Sequence, residues 1–272
     1  MKLTVLGASA SFPAPGGACS GYLVEEGHTR VLLDCGSGVL SQLQRMASVR
    51  DLSAIVISHF HPDHYIDLIA LRYGVRYGFG EPIRPRVLVP PGGRLFLRGL
   101  GAALRDAPEM FEAAIALEEY DEAAARTVGG LTLTFQRTTH DEPTWACAIG
   151  RDGGPRLVYT ADTQGSEDLE RFAHDADFLL CEATYVESGG VLPSGNHLTA
   201  AQAGALARRA GVRHLMLTHF WPGLDPDRFA TEAAETFRGS VLLARPGQTT
   251  EIANPRPAVP VVPHALTVQA EV

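Results

Sequence analysis

The sequence predicts an α/β protein in which two half-sheets form one domain, each covered by helices on its outer side. Short apolar runs rich in Val, Ile and Leu, typical of buried strands, alternate with segments of helical apolar spacing. The alternation continues through both halves of the chain, and no linker separates them. A hydrophobic content of 45% in 272 residues is ample for such a core. We therefore expect one domain over residues 1–252.

Strands are predicted where short apolar or alternating runs end at turn-forming residues. The second and third strands form a hairpin, because Glu25-Glu26-Gly27-His28 between them has the composition of a turn. In chain order the predicted strands cover residues 2–6, 21–24, 30–33, 54–57, 87–89, 131–135, 146–149, 157–160, 178–181, 214–217, 241–244 and 249–252.

Helices are predicted where apolar residues recur at a period near 3.6. The clearest begins after Thr199, a good N-cap, and ends before Gly211, a typical C-cap signal. The predicted helices cover residues 39–49, 66 to 74 or 78, 95–104, 110–117, 167–172, 199–210 and 225–237.

Two segments lie outside these elements. Residues 7–17 have the Gly and Pro content of a surface loop that could overhang a site, and they lack the GxGxxG pattern of a dinucleotide-binding turn. Residues 253–272 contain Pro255, Pro257, Pro260 and Pro263 in a nearly uncharged setting. We expect a Pro-rich C-terminal tail outside the core.

Composition excludes several classes of protein. The formal charge of -8 disfavours a protein that wraps long nucleic acids. The apolar runs are too short to span a membrane, and the N-terminus predicts a strand instead of a signal peptide, so we expect a cytoplasmic protein. Four widely spaced cysteines form no CxxC pair, which argues against thiolate zinc sites and disulfides. They are expected to be small core residues.

The segment Ser58-His59-Phe60-His61-Pro62-Asp63-His64 directly follows the predicted strand 54–57. Pro62 prevents regular continuation of the strand, so the polar cluster is expected in a loop at the strand's end, where open sheets bind ligands. Imidazole nitrogens and a carboxylate oxygen alternate within six residues, which suits two divalent metal ions held close together.

Other predicted strands also end in potential ligands, so the candidate site is distributed along the chain. These residues are His140, Asp162 and His219, which should meet His59 at one edge of the assembly. Asp34 ends the strand 30–33 and can accept hydrogen bonds from backbone N–H groups of the histidine loop, although a simple turn aspartate is the alternative.

The motif HFHPDH, then His140, the ADT at Asp162 and the THF at His219 closely resemble the metallo-β-lactamase superfamily of hydrolases. The resemblance extends to about Ile252 and implies a four-layer αββα sandwich. It also implies two divalent ions (zinc, or manganese or iron), bridged by Asp162, and places Asp34 as the aspartate that braces the histidine loop. The implied ligands are His59, His61 and His140 for one ion, and Asp63, His64 and His219 for the other.

The chemistry of such a site agrees with this resemblance. Two ions bridged by a carboxylate can also bridge a water, lower its pKa from about 15.7 toward about 7, and hold the hydroxide in line with a phosphorus or carbonyl centre. An aspartate bridge is typical of phosphodiesterase-type sites. Asp63 is expected to orient this nucleophile while it binds metal.

Two further segments resemble the HEAT and HST loops of ribonuclease Z enzymes. They are Cys181-Glu182-Ala183-Thr184 and His197-Leu198-Thr199-Ala200. The resemblance implies that His197 faces the scissile phosphate and that Glu182 supports it. A His with a carboxylate partner has a raised pKa and can protonate a leaving oxygen.

The chain departs from ribonuclease Z in two respects. Cys181 replaces the first His of HEAT, and only 22 positions separate His140 from Asp162, too few for the usual tRNA-binding arm. The chain better resembles the arm-less branch that includes the bacterial class II-like cyclic-nucleotide phosphodiesterases, whose members are often dimers. This similarity rests on LGASASFP, SGYLV, DCGSGVL, LLCEA and HLTAAQAGALARRAGVRHLMLTHF.

These observations predict a dinuclear-metal phosphodiesterase that hydrolyses a small cyclic nucleotide, with cAMP converted to AMP and His197 protonating the leaving 3'-oxygen. A ribonuclease Z-like RNA or tRNA 3'-endonuclease is the alternative, followed by a lactone or thioester hydrolase. A decayed hydrolase retained as a binding module is the non-enzyme alternative. A homodimer is possible, and no membrane partner is expected.

Overall fold

The computed structural model describes residues 1–80, 82–187 and 195–253. Within these residues, two seven-stranded sheets pack face to face. The first sheet contains, in spatial order, Thr249–Glu251 (β14), Lys2–Gly7 (β1), Gly21–Glu26 (β2), Thr29–Leu33 (β3), Ala54–Val56 (β4), Arg86–Val89 (β5) and Ala116–Glu119 (β6). Strands β14 to β3 are antiparallel, and β3 to β6 are parallel.

The second sheet has the same division into a parallel half and an antiparallel half. Its strands are, in spatial order, Ser240–Leu243 (β13), His214–Thr218 (β12), Phe178–Glu182 (β11), Leu157–Tyr159 (β10), Trp145–Gly150 (β9), Leu131–Arg137 (β8) and Arg126–Val128 (β7). Strands β13 to β10 are parallel, and β10 to β7 are antiparallel. Residues 151–156 form only a short connection between β9 and β10.

Helices cover the outer face of each sheet. Those on the first sheet are Val39–Gln44 (α1), Pro62–Tyr65 (α2), Asp67–Tyr73 (α3) and Gly93–Ala103 (α4). Those on the second sheet are Glu167–Ala173 (α5), Ala200–Arg209 (α6) and Pro226–Phe237 (α7). The predicted four-layer αββα sandwich is therefore confirmed.

Strand periodicity decides which side chains enter which core. In β4, Ala54 and Val56 enter the core between the sheets, whereas Ile55 packs against the outer helices. In β12, Met216 faces inward and Leu215 faces the helices. Because both faces of these central strands are buried, the strands are continuous apolar runs.

Several local predictions were wrong. Residues 110–117 do not form a helix: a 3-10 turn covers Pro108–Met110, and the segment then pairs with β5 as strand β6. The helix predicted over 39–49 ends at Gln44. Asp63 and His64 do not lie in a loop, because Pro62 occupies the first position of the one-turn helix α2.

Other expectations concern the cysteines, the tail and membranes. All four cysteines are buried and unpaired, as expected. The four prolines of the predicted tail lie outside the described residues. In the part of the chain that the structure describes, no helix has the length and apolar character needed to cross a bilayer.

Candidate metal centre

The ends of strands from both sheets converge on one polar cluster. His59 follows β4, and Asp63 and His64 lie on the adjoining helix α2. The second sheet supplies the residues after β8, β10 and β12, namely His140, Asp162 and His219. The structure thus brings all seven predicted ligands together, although the first and the last are 160 positions apart in the sequence.

The cluster contains two main groups of potential ligands. His59, His61, His140 and Asp162 form one group, and Asp63, His64 and His219 form the other. Within each group, one ligand atom per residue lies within 4.8 Å of all the others, and a third, overlapping set of Asp162, His197 and His219 also meets this distance. The two main groups match the division implied by the sequence resemblance.

Hydrogen bonds at the back of four imidazoles determine which nitrogen faces the centre. His64 Nδ1 donates to Asp34 Oδ2 (2.8 Å), and His140 Nδ1 donates to the backbone oxygen of Asn196 (2.9 Å). The hydroxyls that face His59 and His219 already donate to carboxylates, so these rings must also donate from Nδ1. Those contacts are His59 to Ser58 Oγ (3.0 Å) and His219 to Thr184 Oγ1 (2.9 Å). In the neutral rings all four Nε2 atoms keep their lone pairs for a cation.

The carboxylate of Asp34 holds the histidine segment in place through hydrogen bonds. Its Oδ1 accepts a hydrogen bond from the backbone nitrogen of Ser58 (2.7 Å), as expected from the sequence. Its Oδ2 accepts three more, from the Ser58 hydroxyl, His64 Nδ1 and the Tyr159 hydroxyl, each at 2.8 Å. The segment after Asp34 packs closely against the histidine segment at Gly36, because a Cβ at this position would lie only 1.9 Å from the backbone oxygen of Asp63.

Asp162 lies between the two groups of ligands. Its Oδ2 is 3.7 Å from His59 Nε2 and 3.5 Å from His219 Nε2. Its Oδ1 is buried and accepts no hydrogen bond from the described residues, although His64 Nε2 lies 3.3 Å away. A buried carboxylate oxygen without a donor is costly unless a cation binds it. The nitrogen and oxygen donors present therefore fit divalent metal ions.

The electrostatics of the cluster favour the metal-binding forms of four side chains. His64 is the exception, because burial lowers its pKa but Asp162, Asp63 and Asp34 outweigh burial and raise it. Burial raises the pKa of Asp63 and Asp162, but neighbouring imidazoles outweigh it and hold both values below the ordinary range. Burial, together with the other imidazoles, lowers the pKa of His59 and of His61. Near neutral pH the carboxylates are charged and these two imidazoles are neutral, which is the state that binds metal.

Comparison with known proteins identifies the family. A sequence model of the beta-lactamase superfamily domain matches residues 29–220. The chain belongs to this superfamily.

Relatives of this superfamily hydrolase are similar over most of its length. The probable metallo-hydrolase YhfI of Bacillus subtilis is 33% identical over 91% of this chain and 98% of its own. The crystal structure of YhfI superposes with a TM-score of 0.81, at 30% identity, over 92% of this chain and 99% of that one. A ribonuclease Z of Streptomyces coelicolor is 27% identical over 90% of this chain and 95% of its own. The chain is therefore a metal-dependent hydrolase.

His197 and Glu182 form a hydrogen-bonded, titratable pair beside the metal ligands of this hydrolase. His197 Nδ1 is 3.0 Å from Glu182 Oε1 and 3.9 Å from Asp162 Oδ2. Burial alone lowers the pKa of His197, but the hydrogen bond and charge of Glu182 outweigh burial and raise it to about 9. Glu182 also accepts hydrogen bonds from the backbone nitrogens of Thr163 (2.6 Å) and Leu198 (3.3 Å). The carboxylate is thus fixed in place, and it orients the imidazole.

Sequence reasoning missed the partners that orient the imidazoles. Ser58, Thr184 and the Asn196 carbonyl each receive a ring N–H, and Asp141 Oδ1 lies 3.1 Å from His140 Nε2. Each of the first three is adjacent to a motif residue in the sequence or lies within a motif. Only that proximity could have suggested them, because a hydroxyl or carbonyl carries no pattern of its own.

Proposed function

We propose that this hydrolase is a dinuclear-metal phosphodiesterase that converts a small cyclic nucleotide, cAMP first, to its 5'-monophosphate. Zinc, or manganese or iron, would be held by the two ligand groups described above, with Asp162 shared between them. The observation that carries the proposal is the His197–Glu182 pair beside these groups. Lactone or thioester hydrolysis would not use this pair.

The proposed reaction assigns separate tasks to metal and protein. Divalent ions, when bound, lower the pKa of water and stabilise negative charge that develops on a phosphoryl group. Asp63 accepts a hydrogen bond from the backbone nitrogen of Ser11 (2.6 Å), and this fixes the carboxylate that we expect to orient the attacking water. His197 Nε2 has no hydrogen-bond partner among the described residues, so it can donate a proton to the leaving 3'-oxygen.

Two features favour a small substrate over RNA. The connection between β9 and β10 is only a short turn, so the interval between His140 and Asp162 contains no arm. The match to the Streptomyces ribonuclease Z extends over 291 positions, more than the 272 residues of this chain, so that enzyme contains segments missing here. The similarity to ribonuclease Z nevertheless makes an RNA 3'-endonuclease the second candidate. The homodimer and the cytoplasmic location stay predictions.

The experiment compares substrates on the same metal-loaded protein. Protein loaded with zinc or manganese is incubated separately with cAMP, cGMP and a precursor tRNA, and products are separated by chromatography or gel. We expect AMP to form from cAMP at rates well above tRNA cleavage. Faster cleavage of the precursor tRNA would establish the second candidate instead.

His197→Ala tests the proposed proton donor. We expect kcat to fall by about 10²- to 10⁴-fold, the usual contribution of general acid–base catalysis, while bound metal stays the same. The matched control is His28→Ala, an exposed histidine in the β2–β3 turn. Full turnover by the His197 variant would remove this residue from the mechanism.

A further inference from the structure

The loop between β1 and β2 is fastened to the metal-ligand cluster. Ala10 donates a backbone hydrogen bond to Phe220 (2.9 Å), and Phe220 donates one to Ala8 (2.8 Å). One residue further along, the Ser11 nitrogen donates to Asp63 Oδ2 (2.6 Å). The predicted overhanging loop therefore lies directly beside a predicted ligand, and the segment that carries His219 holds it there.

This geometry places an exposed aromatic side chain at the rim of the site. Ser11 adopts a left-handed backbone conformation with φ of 59°, which is strained for a residue other than Gly, Asn or Asp. The next residue, Phe12, is 49% exposed. Strained backbone conformations cost stability and cluster at active sites and ligand-binding segments.

A continuous row of rings leads from Phe12 to His197. Phe12 packs edge-on against Trp221 (centroids 5.8 Å apart, 89° between planes). Trp221 stacks on Tyr185 (5.9 Å, 29°), and Tyr185 lies 6.2 Å from His197. The aromatic row is therefore exposed at Phe12 and reaches the predicted proton donor at its other end.

We propose that Phe12 and Trp221 form a stacking platform for the nucleobase of the substrate. This inference rests on the proposed function. In a cyclic nucleotide, the leaving 3'-oxygen belongs to the nucleoside, so the group that protonates this oxygen must face the nucleoside. Phe12 directly follows Ser11, whose backbone nitrogen contacts Asp63, so its exposed ring lies beside the ligand cluster. Stacking accepts any base because every base has a π-face.

The platform makes a specific kinetic prediction. Phe12→Ala should raise KM for cAMP and for cGMP by a similar factor, roughly tenfold, because stacking on an aromatic ring tolerates any base. The KM for ribose 3',5'-cyclic phosphate, which has no base, should not change, and kcat should change little. Phe12→Trp should restore the wild-type KM, since an aromatic face is present again.

The control is Leu95→Ala on α4, which removes another exposed apolar side chain, 77% exposed, and should leave all three KM values unchanged. An unchanged KM for cAMP in Phe12→Ala would overturn the proposal. So would an equal rise in KM for the base-free ester.

The base could instead enter the cavity of about 570 Å³ lined by His197, Gln164 and Gln202. In that case Gln202→Glu would raise KM and Phe12→Ala would not, which also overturns the platform.

A binding measurement separates this inference from the proposed function. If wild-type protein fails to hydrolyse cyclic nucleotides, the proposed function fails, and the affinity for AMP still tests the platform. Calorimetric titration with AMP should show roughly tenfold weaker binding to Phe12→Ala than to wild type. Equal affinities, or no binding to either protein, would refute the platform.

Discussion

Asp34→Asn is expected to weaken metal binding, although Asp34 is not itself a predicted metal ligand. The carboxylate accepts four hydrogen bonds, and three of them converge on Oδ2. An amide has only one oxygen, so its NH2 group must face one set of donors. If it faces the backbone nitrogen of Ser58, two donors meet that cannot rearrange, at a cost of about 1–3 kcal/mol.

The opposite orientation of the amide is cheaper and has a chemical consequence. The hydroxyls of Ser58 and Tyr159 can rotate, and His64 can become an acceptor at Nδ1 only by moving its proton to Nε2. That proton then points at the metal position. Loss of an outer hydrogen bond of this kind typically reduces metal affinity by about 10- to 100-fold, equivalent to about 1.4–2.7 kcal/mol.

The assay is a zinc titration in competition with a chromogenic chelator, which needs no enzymatic turnover. Asp67→Asn serves as the control, because Asp67 accepts a hydrogen bond from the backbone nitrogen of Leu40 (2.9 Å) and its side chain bonds to no histidine of the described residues. Its zinc affinity should equal that of wild type. Zinc affinity of Asp34→Asn within threefold of wild type would refute the argument that Asp34 sets the protonated nitrogen of His64.

Three further predictions follow from the same contacts. Glu182→Gln removes the charge that raises the pKa of His197 to about 9, so the pKa falls and the alkaline limb of the kcat–pH profile should move to lower pH. An unmoved limb would exclude His197 as its origin. Thr184→Val deprives His219 Nδ1 of its acceptor and should reduce zinc affinity by about tenfold, whereas Thr184→Ser should not. Removal of metal by EDTA should lower the melting temperature, because zinc at about 100 times its Kd stabilises the fold by about 2.7 kcal/mol; equal melting curves would contradict a cluster that binds metal.

Four of the potential ligands were predictable because each follows a predicted strand, and His61, Asp63 and His64 because they share one short motif with His59. The apolar run Ala54 to Ile57 predicts a strand that ends near His59, and residues 214–217 predict a strand that ends near His219. Their partners were not predictable in this way. Ser58 and Thr184 act through the direction of one hydroxyl hydrogen bond, and such a direction depends on tertiary packing instead of sequence spacing.

The errors in secondary structure have the same origin. Residues 110–117 contain apolar residues at helical spacing, yet most of the segment forms turns and its last two residues, Ala116 and Leu117, pair with β5. A parallel strand obtains its hydrogen bonds from a partner about 30 positions away, and local spacing contains no information about that partner. Likewise, Pro62 is a strand breaker and also a favourable first residue of a helix, so the residue alone leaves both outcomes open.

Three residues that follow strands near the metal centre have a left-handed backbone conformation. Asp34, Ala161 and His219 follow β3, β10 and β12 closely, and all three have φ between 51° and 58°. This conformation costs about 1–3 kcal/mol for most non-glycine residues and less for Asp, and glycine would avoid the cost. Asp34 and His219 cannot be glycine because their side chains make the contacts described above. The methyl side chain of Ala161 makes no such polar contact, and its left-handed backbone instead directly precedes Asp162, which lies between the two ligand groups. The positions of these residues are therefore better explained by the chemistry of the site than by the stability of the sheets.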